Sequence, residues 1–162
     1  MNPPMPSFTL TTTVHAPIER VWRALCAPTE VPQWDTTVLE ALDAPPDYPQ
    51  PGQHVRWRTR TSNSPLPKRG GAGGGVLHDR PQHVEPPTLL HSHLALNRDR
   101  LDETYTLTAL DPSTTDLICY VNVSYAFPIL GPFIARLGTL PQTRAAFEAS
   151  LANLKRHCEA KG

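Results

Sequence analysis

The chain has 162 residues, the size of one domain and enough to bury roughly two-thirds of the surface its unfolded form exposes. Fifteen basic residues balance fifteen acidic ones, which argues against a nucleic-acid surface, where a clustered positive excess is expected. The three cysteines, Cys26, Cys119 and Cys158, are widely spaced and form no CxxC pair. They read as reduced, partly buried thiols of an intracellular, cytoplasmic protein and not as a disulfide framework.

The opening MNPPMPSFTL has neither the positive segment nor the apolar run of a signal peptide, and residues 1–6 are expected to be flexible. The most apolar later stretch, Tyr125 to Leu137, is interrupted by Pro128, Gly131, Pro132 and Arg136, so it falls short of the ~20 apolar residues of a membrane span. Nineteen prolines gather mainly at 3–6, 45–51, 65–67, 81–87 and 128–132. Proline suits turns and strand edges, so these clusters punctuate a chain of short strands.

Phe8, Leu10, Thr12 and Val14 alternate with Thr9, Thr11 and Thr13, the period of a half-buried first strand. Pro17 suits the first position of a helix, where its missing N–H would be unpaired anyway, and Ile18, Val21, Trp22 and Leu25 follow at helical spacing. A second short helix is predicted from Thr29, a candidate cap, to Gln33, ending at Trp34. A weak strand, Val38 to Leu42, leads into the proline-rich loop 44–52. In His54 to Arg60, Val55, Trp57 and Thr59 alternate with Arg56, Arg58 and Arg60. The first set is placed inward, and the arginines form a solvated strand face.

Ser62 to Gly75 holds Ser-Pro-Leu-Pro, Lys-Arg and GGAGGG, the composition of a mobile loop. The glycines are not followed by Lys and Ser or Thr, as a phosphate-cradling loop requires, so a hairpin connection is the plainer reading. A fourth strand, Val76 to Val84, has two possible phases, with either Leu77 or Val76 and Val84 inward. In the fifth, Thr88 to Leu96, Leu90, Ser92, Leu94 and Leu96 share one face, and Leu89, His91, His93 and Ala95 the other. The sixth, Leu101 to Leu110, sets Glu103, Tyr105, Leu107 and Ala109 against Thr104, Thr106 and Thr108. The seventh, Thr115 to Ala126, groups Leu117, Cys119, Val121, Val123 and Tyr125. From Leu140 to Lys161, the positions Leu140, Phe147, Leu151, Leu154 and Cys158 fall on one stripe of a helix. Such a stripe needs a partner, and a curved antiparallel sheet wrapped around it is the simplest one.

The order strand, two short helices, six strands, long helix acquires a name at residues 14–38, VHAPIERVWRALCAPTEVPQWDTTV. This segment resembles the opening of the START-like, helix-grip superfamily (SRPBCC), in particular its polyketide cyclase/dehydrase-type branch. Pro17, Val21, Trp22, Leu25, Pro28 and Trp34 stand where that pattern wants them, as do Gly52, Pro86-Pro87, Thr115 and the terminal helix with Leu154-Lys155. The resemblance runs from Phe8 to Glu159. Two stretches depart from it, the proline-rich insert 44–51 and the loop 62–75. GGAGGG follows the third strand, whereas the glycine-rich loop of the pollen-allergen relatives precedes it, so that loop's role is not carried over.

The resemblance implies an α+β helix-grip fold in a single domain, 1–162, with a cavity between the sheet and the terminal helix for a small apolar or aromatic molecule. The residues placed inward are Trp57, Thr59, Leu90, Ser92, Leu94, Tyr105, Leu107, Cys119, Val121, Phe147 and Leu151. They have the mixture of apolar walls and few polar groups that ligand sites share; ordinary core packing is the competing reading for each. For acid–base work the inward candidates are Tyr105, Glu103 and His78, although Glu103 is placed near a strand end, where exposure is expected. Burial and neighbouring charge supply the pKa shifts such work needs. His91 and His93 form a metal-ligand spacing, with His78 or His83 as a third donor, but the phase of the fifth strand turns both outward as solvent-exposed histidines. No pattern requires a cofactor or metal. Three functions remain open on the sequence: a polyketide cyclase/dehydratase-like enzyme, a carrier or sensor of a lipid, quinone or isoprenoid, and a protein-binding module like the chaperone activators that share the fold.

Overall fold

The computed structural model describes residues 6–60, 75–96, 99–124 and 140–160. Its elements, in order, are β1 (Ser7–Val14), α1 (Ile18–Cys26), α2 (Val31–Trp34), β2 (Val38–Ala41), β3 (Val55–Thr59), β4 (Val76–Glu85), β5 (Leu89–Leu96), β6 (Asp99–Asp111), β7 (Thr114–Ser124) and α3 (Leu140–Ala160). The strands form one antiparallel sheet in the order β1-β7-β6-β5-β4-β3-β2. This is the expected α+β helix-grip fold. The expected flexible N-terminus lies outside the described residues up to residue 5, as do all but Gly75 of the expected mobile loop and Tyr125 to Gly138 of the broken apolar link.

The alternating strands behave as their period demands. Phe8, Leu10 and Val14 of β1 are buried, as are Val55, Trp57 and Thr59 of β3. The outward arginines of β3 pair with acids of the preceding turn and strand, Arg56 with Asp43 at 2.7 Å and Arg58 with Glu40 at 3.1 Å. All three cysteines are free and buried.

Two helical covers share the inner face. On α3, Leu151, Leu154 and Cys158 are buried, and Phe147 meets Phe8 of β1 edge to face with ring centroids 5.6 Å apart. Lys155 Nζ donates to the Thr13 carbonyl at 2.7 Å, anchoring α3 along β1. At the other end of the sheet α1 and α2 form the cover. Trp34 Nε1 donates to the Ala24 carbonyl at 2.8 Å, which binds α2 to α1 and satisfies the buried indole. Pro17 is the residue before the first helical turn of α1, and Glu30, not Thr29, occupies that place for α2. Thr115 Oγ1 donates to the Ala16 carbonyl at 2.8 Å and closes the turn between β1 and α1 onto β7.

An ion-pair cluster ties the covers to each other. Glu30 forms ion pairs with Arg20 at 2.9 Å and Arg23 at 3.3 Å and hydrogen-bonds His157 of α3 at 2.9 Å. Burial opposes the Glu30 charge, but the His157 contact and the guanidinium groups of Arg20 and Arg23 outweigh it and hold the carboxyl below its ordinary range. Among the described residues no helix is long and apolar enough to cross a membrane.

The ambiguous phase of β4 resolves through a bulge. Leu77, Asp79 and Pro81 face inward, opposite Leu96, Leu94 and Ser92, and then the register shifts between Pro81 and His83. The extra residue reverses the alternation, so Val84, opposite Leu90, also packs inward while His83 joins His91 on the outer face. Both expected phases occur, one on each side of Gln82.

Leu154 has no exposed surface and lies at the centre of the α3 stripe. Leu154→Ala is expected to lower stability by about 2–5 kcal/mol in urea unfolding; a loss below about 1 kcal/mol would show that α3 is not seated against this core.

Candidate functional site

A cavity opens between the inner face of β2–β6 and the α1–α2 cover. Its walls are apolar at Leu25, Val31, Val38, Leu77, Leu90 and Leu94, aromatic at Trp34, Tyr48, Trp57 and Tyr105, and polar at Asp35, Asp79, Ser92 and Glu103. The enclosed space is about 60 Å³, room for a few waters or one small ring substituent. Aromatic and aliphatic walls around a few converging polar groups are the common composition of small-molecule sites.

The polar groups arise from strand phase. Asp79 reaches the cavity because β4 enters with Leu77 and Asp79 inward. Its Oδ2 accepts from Tyr48 Oη at 2.6 Å and from Trp57 Nε1 at 3.1 Å. Tyr48 stands edge to face on Trp57, with centroids 6.0 Å apart, so the proline-rich insert 44–51 supplies part of the wall. Asp79 Oδ1 and Ser92 Oγ are buried without a hydrogen-bond partner of ordinary geometry, although the Ser92 hydroxyl lies close enough to favour the carboxylate. On balance burial wins, and the Asp79 carboxyl is held above its ordinary range despite the Tyr48, Trp57 and Ser92 hydrogen bonds.

Glu103 pairs with Ser92 across β5 and β6. The expectation of an exposed strand end is corrected here: β6 begins at Asp99, which places Glu103 within the strand, and its side chain faces the cavity. Burial, then the negative charges of Asp79 and Asp35, push its carboxyl up to about 8. The Tyr105 hydroxyl lies close enough to Glu103 and to the Cys119 thiol to favour their ionised forms, though burial outweighs it at both. Burial and the Glu103 charge raise the phenol well above its ordinary range, so it remains a neutral donor. Burial likewise raises the Cys119 thiol, which keeps it an unreactive hydrophobe.

Of the residues expected inward, Trp57, Leu90, Ser92, Leu94 and Tyr105 line this cavity. Leu107, Cys119, Val121 and Leu151 are buried in the core, and Phe147 packs against it; none of the five lines this space. Thr59 is buried and donates to the Gly75 carbonyl at 2.8 Å. The inward expectation for His78 is corrected. It lies opposite Arg56 on the outer face, where its ring stacks on His54 with Nδ1 2.8 Å from His54 Nε2. Its neighbour Asp79 takes the inward place, because a strand sends adjacent side chains to opposite faces.

Sequence reasoning missed Asp79, Tyr48 and Asp35. The phase Leu77-x-Asp79 was one of the two available for β4, and a carboxylate at an inward position was its signal. Nothing local announces Tyr48, which reaches Asp79 from 31 residues away in the chain. On the outer face His91, His93 and Asp102 bring their donor atoms within 4.8 Å of one another. The third donor beside the two histidines is therefore Asp102, not His78 or His83.

Residues 5–159 match the family model described as polyketide cyclase / dehydrase and lipid transport. A search of curated protein sequences finds no match. Solved structures share the fold at low identity. A protein from Rhodobacter sphaeroides superposes with a TM-score of 0.70 at 19% identity, covering 95% of this chain and 92% of its own. A START superfamily protein from Mycobacterium smegmatis gives 0.65 at 16%, covering 90% and 93%. DynU16, a protein of the dynemicin biosynthetic locus, gives 0.67 at 19%, covering 94% of this chain and 47% of its own. With the helix-grip architecture in place and the family match spanning nearly the whole chain, the protein belongs to the polyketide cyclase/dehydrase and lipid transport family.

Proposed function

We propose that the cavity takes up a small apolar or aromatic molecule bearing an oxygen function, and that its two carboxyl groups do acid–base work on it of the polyketide cyclase/dehydratase kind. The observation that carries this reading is the pair of buried oxygens, Asp79 Oδ1 and Ser92 Oγ, that have only each other nearby and no hydrogen-bond partner of ordinary geometry, set among mostly apolar and aromatic walls. A buried polar atom without a partner is destabilising. A ligand hydroxyl, enol or carbonyl supplies the missing partner.

The roles divide by environment. Asp79 is held by two donors on Oδ2 and ionises before Glu103, whose proton is retained partly by the Asp79 charge. Asp79 then serves as the base that removes a proton beside a carbonyl. Glu103, neutral near pH 7, serves as the acid that protonates a leaving hydroxyl or a developing enolate. Tyr105 orients Glu103 through its hydroxyl and stays protonated itself. The apolar walls hold a flexible substrate in a reactive shape, which is the larger part of what such a site contributes. Three buried free thiols suit a reducing compartment, in keeping with a cytoplasmic site of action.

Two experiments test this reading. Binding of phenol, a single ring bearing one hydroxyl, followed by titration calorimetry, is expected in the native protein. It should weaken about tenfold or more in Asp79→Asn, where a charged hydrogen bond is lost, and disappear in Leu94→Trp, which fills the cavity. Equal binding by all three proteins would remove this cavity as the ligand site.

The second experiment concerns pH. The folded protein keeps the Glu103 proton up to about 8, whereas the ordinary value is 4.5. Between those limits the folded state binds more protons than the unfolded chain, so this group's contribution makes stability fall as pH rises. Urea unfolding between pH ~5 and ~8 should show a shallower decline for Glu103→Gln than for the native protein. The same slope in both would place Glu103 in water and not in the cavity.

A further inference from the structure

We propose that the outer face of the sheet, directly behind the cavity wall, carries a binding site for a borderline divalent transition-metal ion, with Zn²⁺ as the type, built from His91, His93 and Asp102. His91 and His93 are successive outward positions of β5, and Asp102 is the register partner of His93 on β6. Alternate residues of one strand have Cα atoms about 6.5–7 Å apart, and directly paired residues across strands bring their Cβ atoms to about 5 Å. Three donors on such a frame converge without any loop having to order.

The side chains have already turned toward one another. His91 Nε2 lies 3.1 Å from Asp102 Oδ1, and His93 Nδ1 contacts the same oxygen. The two rings meet edge to face at 5.2 Å, and the three donor atoms lie within 4.8 Å of one another. Ligands held at ~2.0–2.1 Å in a tetrahedral zinc site stand about 3.4 Å apart, so only a small opening of this cluster admits an ion. Partly exposed hydrogen bonds of this kind add little to stability, so the fold itself does not require both imidazoles to converge on a single carboxylate oxygen.

The chemistry selects the ion. Two imidazoles and one carboxylate suit zinc, copper or nickel and disfavour magnesium or calcium, which take oxygen ligands. The side chains of His91, His93 and Asp102 are 32%, 51% and 35% exposed, so an ion reaches them from solvent and keeps at least one open coordination position. The bulge at Gln82 adds to the site by placing His83 beside His91 on the same face, where it now pairs with Glu85 at 2.6 Å. Arg80, beside His93 on the other side, opposes cation binding, and the Asp102 carboxylate offsets it. A metal here would clamp β5 to β6, the strands that carry Ser92 and Glu103 into the cavity.

The test uses the full-length chain without an affinity tag, stripped with chelator and titrated with Co²⁺ as an optical probe and with Zn²⁺ as competitor. A single Co²⁺ per chain with visible d–d absorption, displaced by Zn²⁺, is expected. His91→Ala and His93→Ala should each lower the affinity about tenfold or more, and Asp102→Asn should weaken it as well. The pair His54→Ala with His78→Ala, altering the other surface histidine contact, should leave uptake unchanged. Far-ultraviolet circular dichroism of the variants, all at partly exposed positions, confirms that they fold. Absence of stoichiometric uptake, uptake indifferent to His91→Ala and His93→Ala, or uptake lost only with His54 and His78 would overturn the proposal.

Discussion

An antiparallel strand sends successive side chains to opposite faces, and the rest of this structure depends on that constraint. A sheet of seven strands has one face to bury, and the chain supplies two covers for it. The apolar stripe of α3 closes the β1 side, while α1 and α2, joined through the Trp34 indole, close the β2 side. Under α3, Leu151, Leu154 and Cys158 are buried. Under the shorter helices a cavity lies against the sheet.

The same constraint makes the polar groups of the cavity consequential. Once β4 enters with Leu77 inward, Asp79 is buried too, and its charge must be held by whatever else faces inward. Tyr48 and Trp57 provide two donors on one oxygen, and the other oxygen has no hydrogen-bond partner of ordinary geometry. Glu103 then sits near a second carboxyl in an apolar space, and the unfavourable burial of two like charges keeps a proton on it. Separation of the two acidities follows from packing, without a motif recognisable along the chain.

Strands β5 and β6 serve both faces at once. Ser92 stands between His91 and His93, and Glu103 follows Asp102, so the cavity and the outward histidine–aspartate cluster share one wall. The bulge at Gln82 adjusts this economy of positions. One inserted residue lets Asp79 and Val84 both face inward and moves His83 outward.

Periodicity and turn chemistry by themselves determined the element order, the stripe on α3 and the inner faces of β1, β3, β5 and β7, because these are local consequences of a fixed repeat in each strand or helix. The segment around Pro17, Trp22 and Trp34 was enough to indicate the family. Other features depended on register and distance. A bulge leaves no unambiguous mark in a strand that already offers two phases, so the inward turn of Asp79 and the outward turn of His78 were decided by pairing with β3 and β5. Tyr48 reaches Asp79 from an insert whose path is set by the strands it joins, and Asp102 meets His93 only because β5 and β6 pair in one particular register. The sequence determined which side chains lie on which kind of element. Tertiary structure decided which of them share a space, since that depends on register and on cover, and neither is a local property of the chain.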